Sequence, residues 1–164
     1  GAERFAGALG ECKALAYVNL SNNGLGDKGA QHLASGFEGS RTLAHLSLCN
    51  NGIGREGAPG LARMLAGCRA LKHFDVSHNG IGDSGLEGLA RGLGSCAALA
   101  QLKLNHNGIG AEGARLLATV LRDCVVLARL DLSSNRIGAE GAERLAEALG
   151  GCKALARLDL SGNQ

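Results

Sequence analysis

A period of 28 residues runs through the whole chain and constrains its fold more than any other feature. A leucine recurs at this interval without insertion or deletion, at Leu15, Leu43, Leu71, Leu99, Leu127 and Leu155. An asparagine column keeps the same interval, at Asn23, Asn51, Asn79, Asn107, Asn135 and Asn163. A glycine column does so as well, at Gly1, Gly29, Gly57, Gly85, Gly113 and Gly141. Self-similarity at a fixed spacing predicts a stacked repeat architecture.

The first half of each repeat has the apolar-polar alternation of a β-strand. Leu130 and Leu132, for example, alternate with polar neighbours. The pattern predicts six strand segments near residues 16–20, 44–48, 72–76, 100–104, 128–132 and 156–160.

The second half of each repeat has the spacing of an amphipathic helix. Ala142, Leu145, Ala146 and Leu149 follow the i, i+3, i+4, i+7 pattern. One helix is therefore predicted after each of the first five strands, and one more over residues 2–10. Asp27 and Asp83 are predicted to cap their helices, and Pro59 falls in a first helical turn, where its missing N–H does no harm.

A strand followed by a helix, repeated in register, predicts an α/β fold with one parallel sheet. Strands stack about 4.8 Å apart, whereas packed helices need roughly 8–10 Å, so the stack must bend with the sheet inside. We expect one domain over residues 1–164, with five repeats and partial repeats at its ends, as a segment of a longer protein or of a larger assembly.

The asparagine column has a structural explanation. A strand that ends in a tight turn leaves backbone N–H and C=O groups without partners, and an inward asparagine can satisfy both kinds. We therefore assign this column to the frame of the fold and not to catalysis.

The motif LxxLxLxxNxI, followed by glycine, alanine and a helix, resembles the ribonuclease-inhibitor-like class of leucine-rich repeats. Leu127, Leu130, Leu132, Asn135 and Ile137 carry it in one repeat. The resemblance implies a right-handed, horseshoe-shaped solenoid with the parallel sheet on the concave face and the helices on the convex face. The class includes inhibitors, Ran GTPase-activating proteins, the sensing repeats of NOD-like receptors and ciliary scaffold proteins, which bind proteins with the concave face or its rim.

The outward residues of the strands form columns on the expected concave face. The first column is Tyr17, His45, His73, Gln101, Arg129 and Arg157. The second column is Asn19, Ser47, Asp75, Lys103, Asp131 and Asp159. These twelve residues are the predicted partner-binding site. A third column lies beside them, at Asn22, Asn50, His78, His106, Ser134 and Gly162.

Neighbours in a column should stand about 4.8 Å apart, which pairs His45 with His73 and His78 with His106. Two histidines alone do not complete a metal site, and we predict a solvated polar face without metal or cofactor. Lys103 should pair with Asp75 and Asp131.

The cysteines also follow the period, at Cys12, Cys68, Cys96, Cys124 and Cys152, with Ser40 in the remaining slot. Their spacing is neither that of a zinc site nor that of a disulfide framework, which predicts reduced, packed thiols and a cytoplasmic protein, with a ciliary location as the alternative. Cys49 stands apart, in the slot that follows its strand.

These features together predict a non-catalytic scaffold that binds a protein. The net charge of +2 indicates neither a nucleic-acid nor a membrane partner, and no apolar run approaches a membrane span. The alternatives are a GTPase-activating protein of the Ran type and the sensing repeats of a NOD-like receptor. On the rim, Gly24, Gly52, Gly80 and Gly108 leave Arg136 as the one reactive side chain.

Overall fold

Helices and strands alternate along the chain, as the two halves of the repeat predict. A computed structural model describes residues 2–164, so Gly1 of the glycine column lies outside the described residues. The helices are α1 Ala2–Glu11, α2 Gly26–Phe37, α3 Ala58–Gly67, α4 Gly82–Gly94, α5 Ala111–Leu121 and α6 Gly138–Leu149. The strands are β1 Tyr17–Asn19, β2 His45–Ser47, β3 His73–Asp75, β4 Gln101–Lys103, β5 Arg129–Asp131 and β6 Arg157–Asp159.

The strands form one six-stranded parallel sheet in chain order. Each residue pairs with the residue 28 positions later, as Leu102 does with Leu130, so the sequence period is also the register of the sheet. The strands have three residues, fewer than predicted, but backbone hydrogen bonds continue the pairing on both sides. The Ala44 N–H donates to the Ala16 carbonyl (2.8 Å), and the Leu20 N–H donates to that of Ser47 (2.9 Å).

The core lies between the sheet and the helices. The middle residue of β1 to β5 is buried, and the leucines on the inner faces of the helices pack against it. Phe74 in β3 is the largest of the fully buried side chains. Because each helix packs against its neighbours and helices are wider than strands, the sheet lies on the concave side of the solenoid.

The asparagine column joins each repeat to the one before it, as predicted. Asn135 Oδ1 accepts hydrogen bonds from the N–H groups of Asn107 and Ile109, both at 3.0 Å. Its Nδ2 donates to the carbonyls of Leu104 (3.0 Å) and Leu132 (2.9 Å). One buried side chain therefore satisfies backbone groups of two repeats at once.

The prediction that Asp27 and Asp83 cap their own helices is wrong. Neither α2 nor α4 has a side-chain hydrogen bond at its N-cap. Instead, Asp27 Oδ1 accepts from the N–H groups of Gly54 (2.7 Å) and Gly57 (2.9 Å), at the start of α3. Asp83 Oδ1 accepts from the N–H of Gly110 (2.7 Å), the N-cap of α5. Each carboxylate thus accepts hydrogen bonds from backbone N–H groups at or just before the start of the next helix along the solenoid.

The loop that leads into each helix alternates between two conformations in successive repeats. The glycine that opens α2, α4 and α6 has a positive φ, of 60° at Gly26, 56° at Gly82 and 63° at Gly138. The intervening repeats instead form backbone bridges from Gly54 to Gly80 and from Gly110 to Arg136. The structural period of these loops is therefore two repeats, which the 28-residue period alone does not predict.

Helix α6 departs from its predicted burial pattern. In α6, Leu145 is buried, but Ala142 and Ala146 are exposed. The corresponding residues of α5, Ala114 and Ala118, are buried because α6 covers them. In the described chain, α6 has a helical neighbour on one side only.

Replacing Asn135 with alanine should lower the free energy of unfolding by roughly 3 kcal/mol, because buried N–H and C=O groups of two repeats lose their partners. The matched control is Asn23→Ala. Asn23 is exposed, and its Nδ2 bonds only within its own repeat, to Leu20 and Ser21. That substitution should cost about 1 kcal/mol. Urea unfolding followed by circular dichroism measures both values, and equal losses would contradict the bridging role of the column.

Candidate functional site

The three-residue strands divide their side chains between the core and the concave face. In β2, β3 and β4 the middle residue is buried and the two flanking residues are partly exposed. The first and second columns therefore lie side by side on one surface, as predicted. All twelve predicted site residues are strand residues of this face. Their neighbours across the sheet match the predicted register, with no slip.

The amino-terminal half of the first column is a stack of rings. His45 and His73 lie with ring centroids 4.1 Å apart and planes 8° from parallel. Tyr17 adjoins His45 at 5.7 Å and is 64% exposed. The predicted adjacency of His45 and His73 is confirmed. The three rings border a shallow cavity of about 200 Å³, which Phe74 and Lys103 also line.

The surroundings of His73 lower the pKa of its ring. Partial burial of the ring lowers its pKa, and the charges of His45, Lys72 and Arg129 lower it further. Among the described residues, the buried Nδ1 atom of His73 has no hydrogen-bond partner. Both features favour the neutral form of the His73 ring.

Four residues of the second column bind their own strand-end turns. Asn19, Asp75, Asp131 and Asp159 each use Oδ1 to accept hydrogen bonds from the backbone N–H and the hydroxyl of the serine two residues later. For Asp131 and Ser133 the two distances are 3.0 and 2.7 Å. The recurring Asp-x-Ser spacing in the sequence is typical of such turns and could have predicted them, whereas the alternation of the strand residues could not.

Charge pairing on this face is incomplete. Lys103 Nζ lies 3.4 Å from Asp75 Oδ2, which confirms one of its two predicted pairings. Within residues 2–164, no ion pair joins Lys103 to Asp131, and no carboxylate lies within 4.0 Å of the Arg129 guanidinium. The carboxy-terminal half of the face therefore carries charge that its own residues do not neutralise.

A family model described as "Leucine Rich repeat" matches residues 12–34, 67–90, 96–118 and 124–146, more than half of the chain. The chain belongs to the leucine-rich-repeat family.

Two solved structures share this leucine-rich-repeat fold. The tropomodulin C-terminal domain of Caenorhabditis elegans superposes with a TM-score of 0.75 at 20% identity, over 92% of each chain. A structure named leiomodin-1 actin-binding site 2 superposes with a TM-score of 0.74 at 16% identity, over 92% of this chain and 87% of that one. No curated protein sequence matches the chain.

The third column lines the rim of these leucine-rich repeats. Its side-chain-bearing members all have left-handed backbone conformations, with φ between 52° and 62° at Asn22, Asn50, His78, His106 and Ser134. His78 and His106 stack at 4.0 Å, as predicted. Within the part of the chain that the structure describes, no three histidine, cysteine or carboxylate side chains come together as a metal site would need.

The periodic cysteines belong mainly to the frame of the leucine-rich repeats. Cys68, Cys96, Cys124 and Cys152 are buried, and all six cysteines are free thiols. Cys96 Sγ, for example, donates to the carbonyl of Leu65 (3.1 Å) in the preceding repeat. Burial raises the pKa of Cys68 and Cys124 to about 11 and that of Cys96 to about 12. The expected packing is wrong for Cys12, which is exposed because no repeat precedes it in the described chain.

Acidification should destabilise the protein through His73. Because its folded-state pKa is below the ordinary value near 6.5, the folded state binds fewer protons than the unfolded state. The contribution of His73 to the free energy of unfolding is fully present above pH 6.5 and is lost as the pH falls through the folded-state pKa. NMR titration of the His73 ring should give a pKa below 6.5, and His73→Gln should flatten the loss of unfolding free energy between pH 7.5 and 5.5. A normal or raised ring pKa would contradict this assignment.

Alkylation should separate the cysteines into two classes. With a pKa of about 11, roughly one thiol in a thousand is ionised at pH 8, and the buried sulfur atoms are also shielded. Iodoacetamide should therefore modify Cys12 and Cys49 first and the four buried thiols only after unfolding in urea. Intact-mass spectrometry counts the modified groups. Six equally fast modifications of the native protein would show that the column is open to solvent.

Proposed function

We propose that this chain is a non-catalytic interaction module that binds a protein partner through its concave face and rim. The observation that carries the proposal is the contrast between a uniform frame and a variable surface. The asparagine and leucine columns are the same in all six strand segments, whereas the first column changes from tyrosine to histidine, glutamine and arginine. A solenoid of this kind offers an extended surface for one partner.

The size and chemistry of the surface fit a protein segment. Six strands at about 4.8 Å spacing span roughly 24 Å, enough for several turns of helix or for an extended peptide. The partner would contact rings at one end of the face and charged groups at the other. The proposed binding residues are the first and second columns: Tyr17, Asn19, His45, Ser47, His73, Asp75, Gln101, Lys103, Arg129, Asp131, Arg157 and Asp159.

Actin is the first partner to test, because one of the similar structures carries the name of an actin-binding site. Co-sedimentation with filaments and gel filtration with monomers test the two forms of actin separately. Another protein partner remains compatible with the proposal if it uses the same face.

A GTPase-activating role and the sensing repeats of a NOD-like receptor are the alternatives. Arg136 supports the first, since an arginine on the rim can stabilise charge in phosphoryl transfer. Its backbone is fixed by a bridge to Gly110, and its side chain is exposed. GTP hydrolysis by candidate GTPases, measured with wild type and Arg136→Ala, decides this alternative.

The six free thiols support an intracellular location, cytoplasmic or ciliary. Among residues 2–164, no helix combines the length and the apolar character that crossing a membrane requires.

A matched pair of charge substitutions tests the concave face. Gln101 lies at the centre of the first column and Glu87 lies exposed on α4, and neither side chain makes a hydrogen bond or an ion pair in the described chain. Gln101→Arg should weaken partner binding at least tenfold, whereas Glu87→Arg should change it less than twofold. Both should melt within a few degrees of wild type, since exposed substitutions cost about 0.5 kcal/mol or less. Isothermal titration with actin or with another purified partner measures the affinities, and the opposite ranking would place the binding surface on the helices.

A further inference from the structure

The carboxy-terminal half of the concave face carries two neighbouring arginines without full counter-ions. The register of β5 and β6 places Arg129 directly beside Arg157. Both side chains are exposed, and among the described residues Arg157 has one carboxylate contact, to Asp159 Oδ2 at 4.0 Å. Like charges in adjacent positions of a sheet are unfavourable. The arginine pair therefore gains from an anion that comes from outside the chain.

The adjacent aspartates are already engaged, through one oxygen each, by their own strand-end turns. Asp131 and Asp159 use Oδ1 to accept from the N–H and hydroxyl groups of Ser133 and Ser161. On the same face, Lys103 reaches Asp75 at 3.4 Å, although Asp75 makes the same kind of turn. Pairing between the two columns is thus available to this sheet, but within residues 2–164 Arg129 has no carboxylate partner and Arg157 meets Asp159 only at the long distance of 4.0 Å.

The result is a strip with two signs of charge. The guanidinium groups of Arg129 and Arg157 form its positive side, and the carboxylates of Asp131 and Asp159 form its negative side. The two sides come from residues i and i+2 of the same strands, whose Cα atoms lie roughly 7 Å apart. A shallow cavity of about 300 Å³ lies at this strip, lined by Gln101, Lys103, Arg129, Asp131 and Arg157 above Leu102 and Leu130.

We propose that this strip binds a mixed-charge segment of the protein partner, with a carboxylate over Arg129 and Arg157 and a basic side chain over Asp131 and Asp159. The planar guanidinium groups match a carboxylate in paired hydrogen bonds. A spacing of about 7 Å suits residues i and i+2 of an extended segment or i and i+4 of a helix. A phosphate would bring a second negative charge close to the two aspartates, so a carboxylate fits better. This proposal rests on protein binding by the concave face and adds the chemistry of the partner.

A peptide library tests the proposal before the natural partner is identified. Random twelve-residue peptides displayed on phage are selected on the whole chain, and synthetic copies of the binders are measured by fluorescence anisotropy. The binders should be enriched in an acidic residue two or four positions from a basic one. Arg129→Ala together with Arg157→Ala should weaken them at least tenfold. The matched control removes two exposed arginines of the helical side, Arg63→Ala with Arg91→Ala, and should change the affinity less than twofold.

Charge exchange then separates direct contact from loss of structure. The double variant with Arg129→Glu and Arg157→Glu should no longer bind the original peptides. It should bind versions of them in which the acidic residue is replaced by lysine. Circular dichroism melts report whether each variant folds. A peptide with phosphoserine in place of the carboxylate should bind no more tightly than the original, and tighter binding would overturn the choice of a carboxylate.

The remaining outcomes distinguish this proposal from the broader one. Some peptides could lose affinity for the Gln101→Arg variant but keep it for the variant with Arg129→Ala and Arg157→Ala. That result would leave the concave face as the binding surface and overturn the role of the strip. Selection that yields only binders indifferent to both changes, or no binder, would count against both proposals.

Discussion

The hydrogen bonds of the asparagine column are the constraint on which the rest of the structure depends. Each buried member closes the turn after its own strand and accepts N–H groups from the preceding repeat, as Asn135 does from Asn107 and Ile109. These bonds can form only when successive turns lie one strand spacing apart and in register. Because that geometry recurs along the stack, it fixes the register of the sheet, the position of each column and the strand spacing, whichever residues stand on the outer surface.

A frame fixed in this way separates folding from recognition. The buried leucines, the asparagines and most of the periodic cysteines have partners inside the solenoid, so their identities follow from packing. The first-column residues are exposed or only partly buried, and they differ from one strand to the next. Changes among tyrosine, histidine, glutamine and arginine at these positions therefore alter the surface at little cost in stability. This freedom is what lets one repeat architecture present many different binding surfaces.

The sequence predicted the sheet and the columns because both depend only on an uninterrupted period. Each residue stands beside the one 28 positions later, and this alone predicted the stacked pairs His45–His73 and His78–His106. The period could not predict contacts that differ between repeats. Asp27 and Asp83 were assigned to their own helices because the pattern within one repeat does not show which neighbour a side chain meets. The exposure of Ala142 had the same origin, since burial of that position depends on a following helix.

Under the proposed function, the two halves of the concave face would favour binding for different physical reasons. Stacked aromatic rings gain by excluding water from their apolar faces, and this gain depends little on salt. The charges of Arg129 and Arg157 are well hydrated in the free protein, where their mutual repulsion is weak. When a partner covers them and water leaves, an unmatched pair becomes costly and a matched carboxylate becomes strongly favourable. In the proposed complex the rings would supply affinity for many apolar partners, whereas the charged strip would reject partners that lack the complementary acid, so we infer that the specificity of the face resides in its carboxy-terminal strands.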